Sequence, residues 1–267
     1  MREAGLERLA VGFFDGVHLG HRKILESSDR ALTFRNHPLS VLDPAREPRL
    51  IMSPEDRLAA LGVPATVLDF TDSLAMMPAD DFAARYLKGV VVRCGADWRF
   101  GRGGEGNADW LRAHGHEVEV VPEVLYAGEA VSSSRIRRAL ASGDLSEAEA
   151  MLGRPYSVVG ALCAGKGVGR TLGFPTLNFA VESPLACGVY EVDLDGRRGI
   201  ANFGRAPTCG ERAWTSPVLE VHLLEPPTGN LSAPRVFFRR FLRPERAFAS
   251  FEELKEQIRR DVDEVRG

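Results

Sequence analysis

The sequence predicts an α/β domain with an open, mostly parallel sheet, followed by a small β-barrel that ends in a helix. Three observations carry this reading. Up to about residue 150, short apolar runs alternate with amphipathic stretches, the pattern of βαβ units. After "GRPY" the texture changes to closely spaced strand runs with a hairpin signal, Asp195-Gly196. The chain then closes on "SFEELKEQIRRDVDEV", a single amphipathic helix. At 267 residues it also exceeds the ~100–200 usual for one domain. The boundary is placed between Gly153 and Tyr156, giving domains 1–153 and 154–267.

In chain order, "LAVGFF", "ALTF", "ATVLDF", "VVVR" and "EVEVV" are the strand candidates of the first domain. Between them, "SPEDRLAALG" has Ser53 as N-cap, Pro54 at the first helical position and Gly62 as the stop. "PADDFAARYLKG" is a further helix. "SSSRIRRALASGDLSEAEAMLG" reads as two short helices, the second opened by a capping box of Ser146 with Glu149 and ended at Gly153. "YSVVGAL", "GVYEVDLDG", "GIANFG", "PVLEVHLLE" and "RVFFRRFLR" are the barrel strands. In the last helix Ser250 and Glu253 form a capping box, and Phe251, Leu254, Ile258, Val262 and Val265 make one stripe.

Composition narrows the function classes. Net charge is −3, from 34 Lys+Arg against 37 Asp+Glu, so there is no basic footprint for nucleic acid. Cys94, Cys163, Cys187 and Cys209 are scattered without a Cys-x-x-Cys pair, which reads as reduced thiols, neither zinc ligands nor a disulfide framework. No run approaches the ~18 apolar residues of a membrane span, and no signal peptide opens the chain. The sequence therefore reads as cytoplasmic and off the membrane, and it names no protein partner.

Two stretches ask for more than a core. "GFFDGVHLGH" follows the first strand, where α/β sheets place ligands and helix N-termini favour anions. Gly12, Gly16 and Gly20 allow tight turns and close approach, while His18 and His21 can face one side as a helix begins. Their ring N–H groups suit phosphate oxygens. The bland alternative is a glycine-rich turn with two surface histidines. "GKGVGRTLGFPTLNF" is the second stretch. Backbone N–H groups from Gly165 to Gly169 can form a phosphate nest, and Thr176 and Asn178, alternating with Leu177, share a face on an extended segment. Hard oxygens beside phosphates suit magnesium. In "VLEVHLLE", Val218, Glu220 and His222 point one way, and Leu219, Val221 and Leu223 point to the core.

These strings resemble a known family. "GFFDGVHLGH" is similar to the phosphate motif of the nucleotidylyltransferase superfamily, and most of all to its bacterial FAD synthetase branch. "TFRNHP", "GADWRFGRGGEGN" and "SSSRIR" resemble further segments of that branch in order, with Asn36 for a proline, Trp98 for Phe and Ser134 for Thr. "GKGVGRTLGFPTLN", "NFGRAPT", "LEVH" and "LRPERAFASFEEL" resemble riboflavin kinases. The resemblance thus implies a Rossmann-like nucleotidylyltransferase domain followed by a β-barrel riboflavin kinase domain, spanning about residues 10–261.

What it implies about residues is specific. In adenylyl transfer, Gly12, Phe13, Phe14, Gly16, His18, Gly20 and His21 bind ATP, and Ser133, Ser134 and Arg137 grip the phosphates from the other side. His37, Asp97 and Phe100 belong to the flavin side, although Phe100 equally fits core packing and Asp97 a turn cap. In the kinase, Gly165, Gly167, Gly169, Thr176 and Asn178 bind ATP, Thr176 and Asn178 take Mg2+, and Glu220 is the general base. The implied substrates and products are ATP, riboflavin, FMN and FAD. Two departures stand out. Only residues 22–32 separate His21 from Thr33, close to the ~10–12-residue minimum for a crossover. "LLEPPTGNLSAPRV" also lacks the family's aspartate and Tyr-Gly turn. The remaining alternatives are a kinase with a silent first domain, and a flavin- or nucleotide-binding regulatory protein without turnover.

Overall fold

The structure, a computed structural model, describes residues 6–164, 168–204, 218–225 and 234–267. The chain gathers into two compact units. One runs to Arg49 and resumes over Pro54–Ser133; the other holds Leu50–Ser53 and Ser134–Gly267.

The first unit is built on five parallel strands, β1 (Glu7–Val11), β2 (Arg30–Phe34), β3 (Ala65–Leu68), β4 (Val90–Cys94) and β5 (Glu117–Val120), in the order β3-β2-β1-β4-β5. All five expected strands form, and the order reverses between β1 and β4. Such a reversal opens a crevice at the carboxyl ends of the strands. The helices are α1 (Leu19–Leu25), α2 (Leu39–Leu42), α3 (Pro54–Ala60), α4 (Asp72–Ala75), α5 (Ala79–Phe82) and α6 (Ala108–Ala113). A two-stranded hairpin, β6 (Leu125–Tyr126) with β7 (Glu129–Ala130), follows. Leu9, Val11, Val92, Cys94, Phe82, Leu87 and Leu111 lie in the core cluster on one side of the sheet. The short crossover is real: α1 has 7 residues, yet β1 and β2 pair in parallel register.

The second unit begins with α7 (Ser133–Ser142), whose first residue still belongs to the first, and α8 (Leu145–Leu152). The expected capping box at Ser146 is not what opens α8. Asp144 is the N-cap, its Oδ1 accepting from Glu147 N at 2.9 Å, and Ser146 lies inside the helix. Asp144 stands two residues earlier, and its carboxylate suits the positive end of the helix dipole. Glu149 instead accepts from Tyr156 N.

The barrel strands are β8 (Ser157–Val159), β9 (Ala161–Cys163), β10 (Leu177–Ala180), β11 (Gly188–Leu194), β12 (Arg197–Gly204), β13 (Val218–Leu223) and β14 (Arg235–Pro244), with the short helix α9 (Val168–Leu172) before β10. Their antiparallel order is β8-β14-β11-β12-β13-β10-β9. β8 and β9 stand at opposite edges although Gly160 alone separates them, so one bent strand nearly closes the barrel. A Cβ at Gly160 would lie 2.5 Å from Val181 Cγ1, which is why the bend carries glycine. The hairpin turn has both Asp195 and Gly196 at positive φ, as a type I′ turn requires. Phe179, Tyr190, Phe203, Leu219, Val221 and Phe238 fill the interior and are fully buried.

Helix α10 (Phe251–Arg266) starts as expected, with Ser250 Oγ accepting from Glu253 N at 3.1 Å. Its stripe is buried only toward the C-terminal half, where Val262 and Val265 pack on Ile200 of β12; Phe251 is exposed. A fork of Arg243 on buried Asp261, with Nη2 to Oδ2 at 2.7 Å and Nε to Oδ1 at 3.0 Å, fastens the helix to β14.

Candidate active sites

In the first unit the loop after β1 turns sharply. Phe14, Gly16 and Val17 all have positive φ (61°, 80° and 37°), and Val17 N donates to Phe14 O at 3.0 Å. Two of these residues are not glycine, so the backbone here is strained. His18 then caps α1, its Nδ1 accepting from His21 N at 3.3 Å. A ring nitrogen that accepts carries no proton, which places the His18 N–H on Nε2.

The two imidazoles stack, with centroids 3.5 Å apart and planes at 19°. A Cβ at Gly20 would press on the His18 ring at 3.2 Å, so glycine there makes room for the stack. Two stacked rings cannot both carry charge. Burial pushes the His21 pKa well below its usual value, and His18 and then Arg57 push it further the same way. His21 is thus a neutral imidazole whose enclosed Nδ1 has no hydrogen-bond partner among the described residues.

The other expected residues of this site fall as follows. Ser133 Oγ donates to Asp15 O at 2.9 Å. Ser134 is exposed, and Arg137 lies one turn beyond Ser133 on the same helical face. His37 meets the Phe13 ring edge-on at 4.7 Å, and its Nδ1 accepts from Leu39 N at 3.1 Å. Asn36 joins the segments that follow β2 and β3: it donates to Phe70 O and accepts from Phe70 N, both at 2.9 Å. Asp97 is exposed. Phe100 is 6% exposed and packs in the core against Trp98, Trp110 and Phe82. Sequence reading missed Arg57, a fully buried cation on α3 that binds Phe13 O.

In the second unit, strand register builds a row. Asn178 on β10 pairs with Glu220 on β13, and Glu220 pairs with Asn202 on β12. Residues directly opposite on neighbouring strands present side chains to one face, so the carboxylate stands between two amides. That face is the outer one, because Leu219, Val221 and Leu223 are buried on the other. Asn178 is 7% exposed, and its Oδ1 has no hydrogen-bond partner among the described residues. Asn202 Nδ2 donates to Glu245 Oε1 at 3.1 Å.

His222, two residues on from Glu220, bonds Pro175 O through Nδ1 at 2.9 Å and meets Phe174 edge-on, fixing the turn that leads into Thr176. Gly169 sits in α9, where a Cβ would meet Thr176 Oγ1 at 3.3 Å. Gly165, Gly167 and Cys209 lie outside the described residues, as does most of the "LLEPPTGNLSAPRV" loop. Cys94 is buried, Cys163 half-buried and Cys187 exposed. Asn202 was the second omission. Its position on "GIANFG" was legible, but its partner across the sheet was not.

A Rossmann-like unit with a histidine-capped loop after its first strand, followed by a small β-barrel, fits a two-part class of nucleotide-using transferases. Family sequence models agree: that of FAD synthetase matches residues 3–135, and that of riboflavin kinase residues 152–267. The relatives run the full length. The bifunctional riboflavin kinase/FMN adenylyltransferase of Bacillus subtilis is 31% identical over 96% of this chain and 90% of its own. Its counterpart in Escherichia coli K12 is 34% identical over 95% and 90%, and that of Pseudomonas fluorescens 36% over 96% and 91%. The chain belongs to the bifunctional riboflavin kinase/FMN adenylyltransferase family. A solved structure from Streptococcus pneumoniae, described as a macrolide-efflux protein, has a TM-score of 0.79 at 26% identity, covering 99% of this chain and 95% of that one. Among the described residues no helix is long and apolar enough to cross a membrane.

Proposed function

We infer that the chain carries out two successive ATP-dependent reactions: it phosphorylates riboflavin to FMN, then adenylylates FMN to FAD with release of pyrophosphate. In the first step Glu220 takes the proton of the ribityl hydroxyl as its oxygen attacks the γ-phosphorus and ADP leaves. Asn178 and Asn202, opposite Glu220 on both sides, support a fixed carboxylate. Gly165, Gly167 and Gly169 offer backbone N–H groups to the ATP phosphates. The unpartnered Asn178 Oδ1 is a hard, enclosed oxygen that fits magnesium. Thr176 and Asn178 would hold the ion, which when bound neutralises phosphate charge.

In the second step the FMN phosphate is itself the nucleophile at the α-phosphorus, so the protein supplies position and charge stabilisation. Neutral His18 and His21 give ring N–H groups to phosphate oxygens, within a loop shaped by Gly12, Phe13, Phe14, Gly16 and Gly20. Ser133, Ser134 and Arg137 add donors, and Arg137 suits phosphate through its fork. His37 and Asp97 serve the flavin side, with Phe100 acting from the core. The charge balance and composition support a cytoplasmic setting without nucleic acid.

The observation that carries this reading is that the stacked histidines and the Glu220 row occur in one chain. Incubation with riboflavin, ATP and magnesium, with chromatography over time, tests it. FMN should rise first and FAD after it. FMN without FAD would leave a kinase alone.

The functional division is placed at 153/154. Helices α7 and α8 pack with the barrel, where Ala186 N donates to Leu140 O at 2.9 Å. Fragments 154–267 and 134–267 should therefore both form FMN, the longer one melting higher.

A further inference from the structure

Arg57 has no exposed surface, and burying a guanidinium is costly unless its donors are met. Four of its contacts are to backbone and hydroxyl oxygens, made by Nη1 and Nη2, while the enclosed Nε has no hydrogen-bond partner among the described residues. Nη1 donates to Phe13 O at 2.7 Å and Thr33 Oγ1 at 2.9 Å, and Nη2 to Phe34 O at 2.6 Å and Arg35 O at 3.1 Å. The guanidinium also lies 4.2 Å from the centroid of the Phe13 ring. Thr33 Oγ1 donates to the same Phe13 carbonyl at 3.2 Å. One side chain from α3 therefore joins the residue just before the strained turn to the carboxyl end of β2.

We propose that Arg57 is a positioning residue for adenylyl transfer, holding the phosphate loop in the shape that sets His18 and His21. This rests on the reading that adenylyl transfer takes place at those two histidines. Positive φ at Phe14 and Val17 persists only where the surroundings over-determine it. The doubly bonded Phe13 carbonyl and the Phe13 ring, held between Arg57 and His37, supply that determination. Lysine could not replace it, since a point ammonium cannot span four acceptors in a plane. The charge has a second effect. After burial itself, His21 faces His18 at the start of its own helix and the Arg57 guanidinium from α3, and both oppose its protonation. Asp15 is the negative group that faces Arg57 and partly offsets its burial.

The test uses the full chain with Arg57→Met, Arg57→Lys and His21→Ala. It reads FAD formation from FMN and ATP, FMN formation from riboflavin, and the His21 ring titration by NMR. Arg57→Met should lower kcat for FAD formation about 10²-fold, the scale of a misplaced catalytic group, with FMN formation near the parent rate. It should also move the His21 midpoint upward. Arg57→Lys should keep the low midpoint yet recover no more than about a tenth of kcat. Parent kcat in the Met variant, full recovery in the Lys variant, or equal loss of both activities would overturn the proposal. FAD formation at the parent rate by His21→Ala would instead sink the reading of the site.

Discussion

The two candidate sites are built from different material. The first is a strained loop whose shape depends on a buried arginine 44 residues away and a threonine 20 residues away. The second is a row of side chains spaced by a β-ladder, where register alone puts Asn178, Glu220 and Asn202 together. A loop site needs outside clamps, because turns carry few internal hydrogen bonds to hold them. A ladder site inherits its precision from the sheet.

The largest expected effect tests the ladder. Glu220→Gln keeps the shape of the row and removes the base, so FMN formation should fall about 10²-fold or more. FAD formation from supplied FMN should stay normal, and an unchanged FMN rate would remove Glu220 as the base. The matching change in the loop is His21→Ala. Losing one donor to the transition state should cost about 10²-fold in FAD formation, with FMN formation preserved. If both rates fell together, the sites would share more than a chain.

A smaller effect separates the row's flank from its centre. Asn202→Ala should slow FMN formation about tenfold, the worth of one polar contact of ~1.4 kcal/mol. A loss equal to that of Glu220→Gln would give Asn202 a larger part.

The smallest effect is on stability, and it belongs to the loop. His21 has a folded pKa below the usual 6.5, so the unfolded chain binds the proton more readily. Stability from the neutral ring is complete above about pH 6.5 and is lost as pH falls below it, by up to ~1.4 kcal/mol per pH unit. Urea unfolding at pH 7.5 and 5.5 should show a smaller acid loss in His21→Gln than in the parent. Equal losses would assign the acid sensitivity elsewhere.

The same contrast decides what could be read from sequence. β1 to β5 were legible because each is a short apolar run between turn signals, and the alternation in "VLEVHLLE" put Glu220 on the outer face unaided. Arg57 was not, because an arginine in "SPEDRLAALG" reads as the polar face of a helix, and only tertiary packing buries it. Asn202 was hidden for a different reason, since period-2 alternation gives the face of a strand but not its register. The α8 start was a plain misreading: Asp144 and Glu147 in "DLSE" make as good a box as Ser146 and Glu149.

The bend at Gly160 sets a schedule for the newborn chain. β8 pairs with β14, and the contact between Arg235 and Ser157 spans 78 residues, so the barrel's first strand waits on its last. Such distant pairing slows folding and leaves strand edges open in the meantime. The parallel sheet draws all its strands from residues 7–120, so it can be complete on the ribosome while β8 is still unpaired. During synthesis, then, the adenylyltransferase half should be ready first, although its reaction comes second.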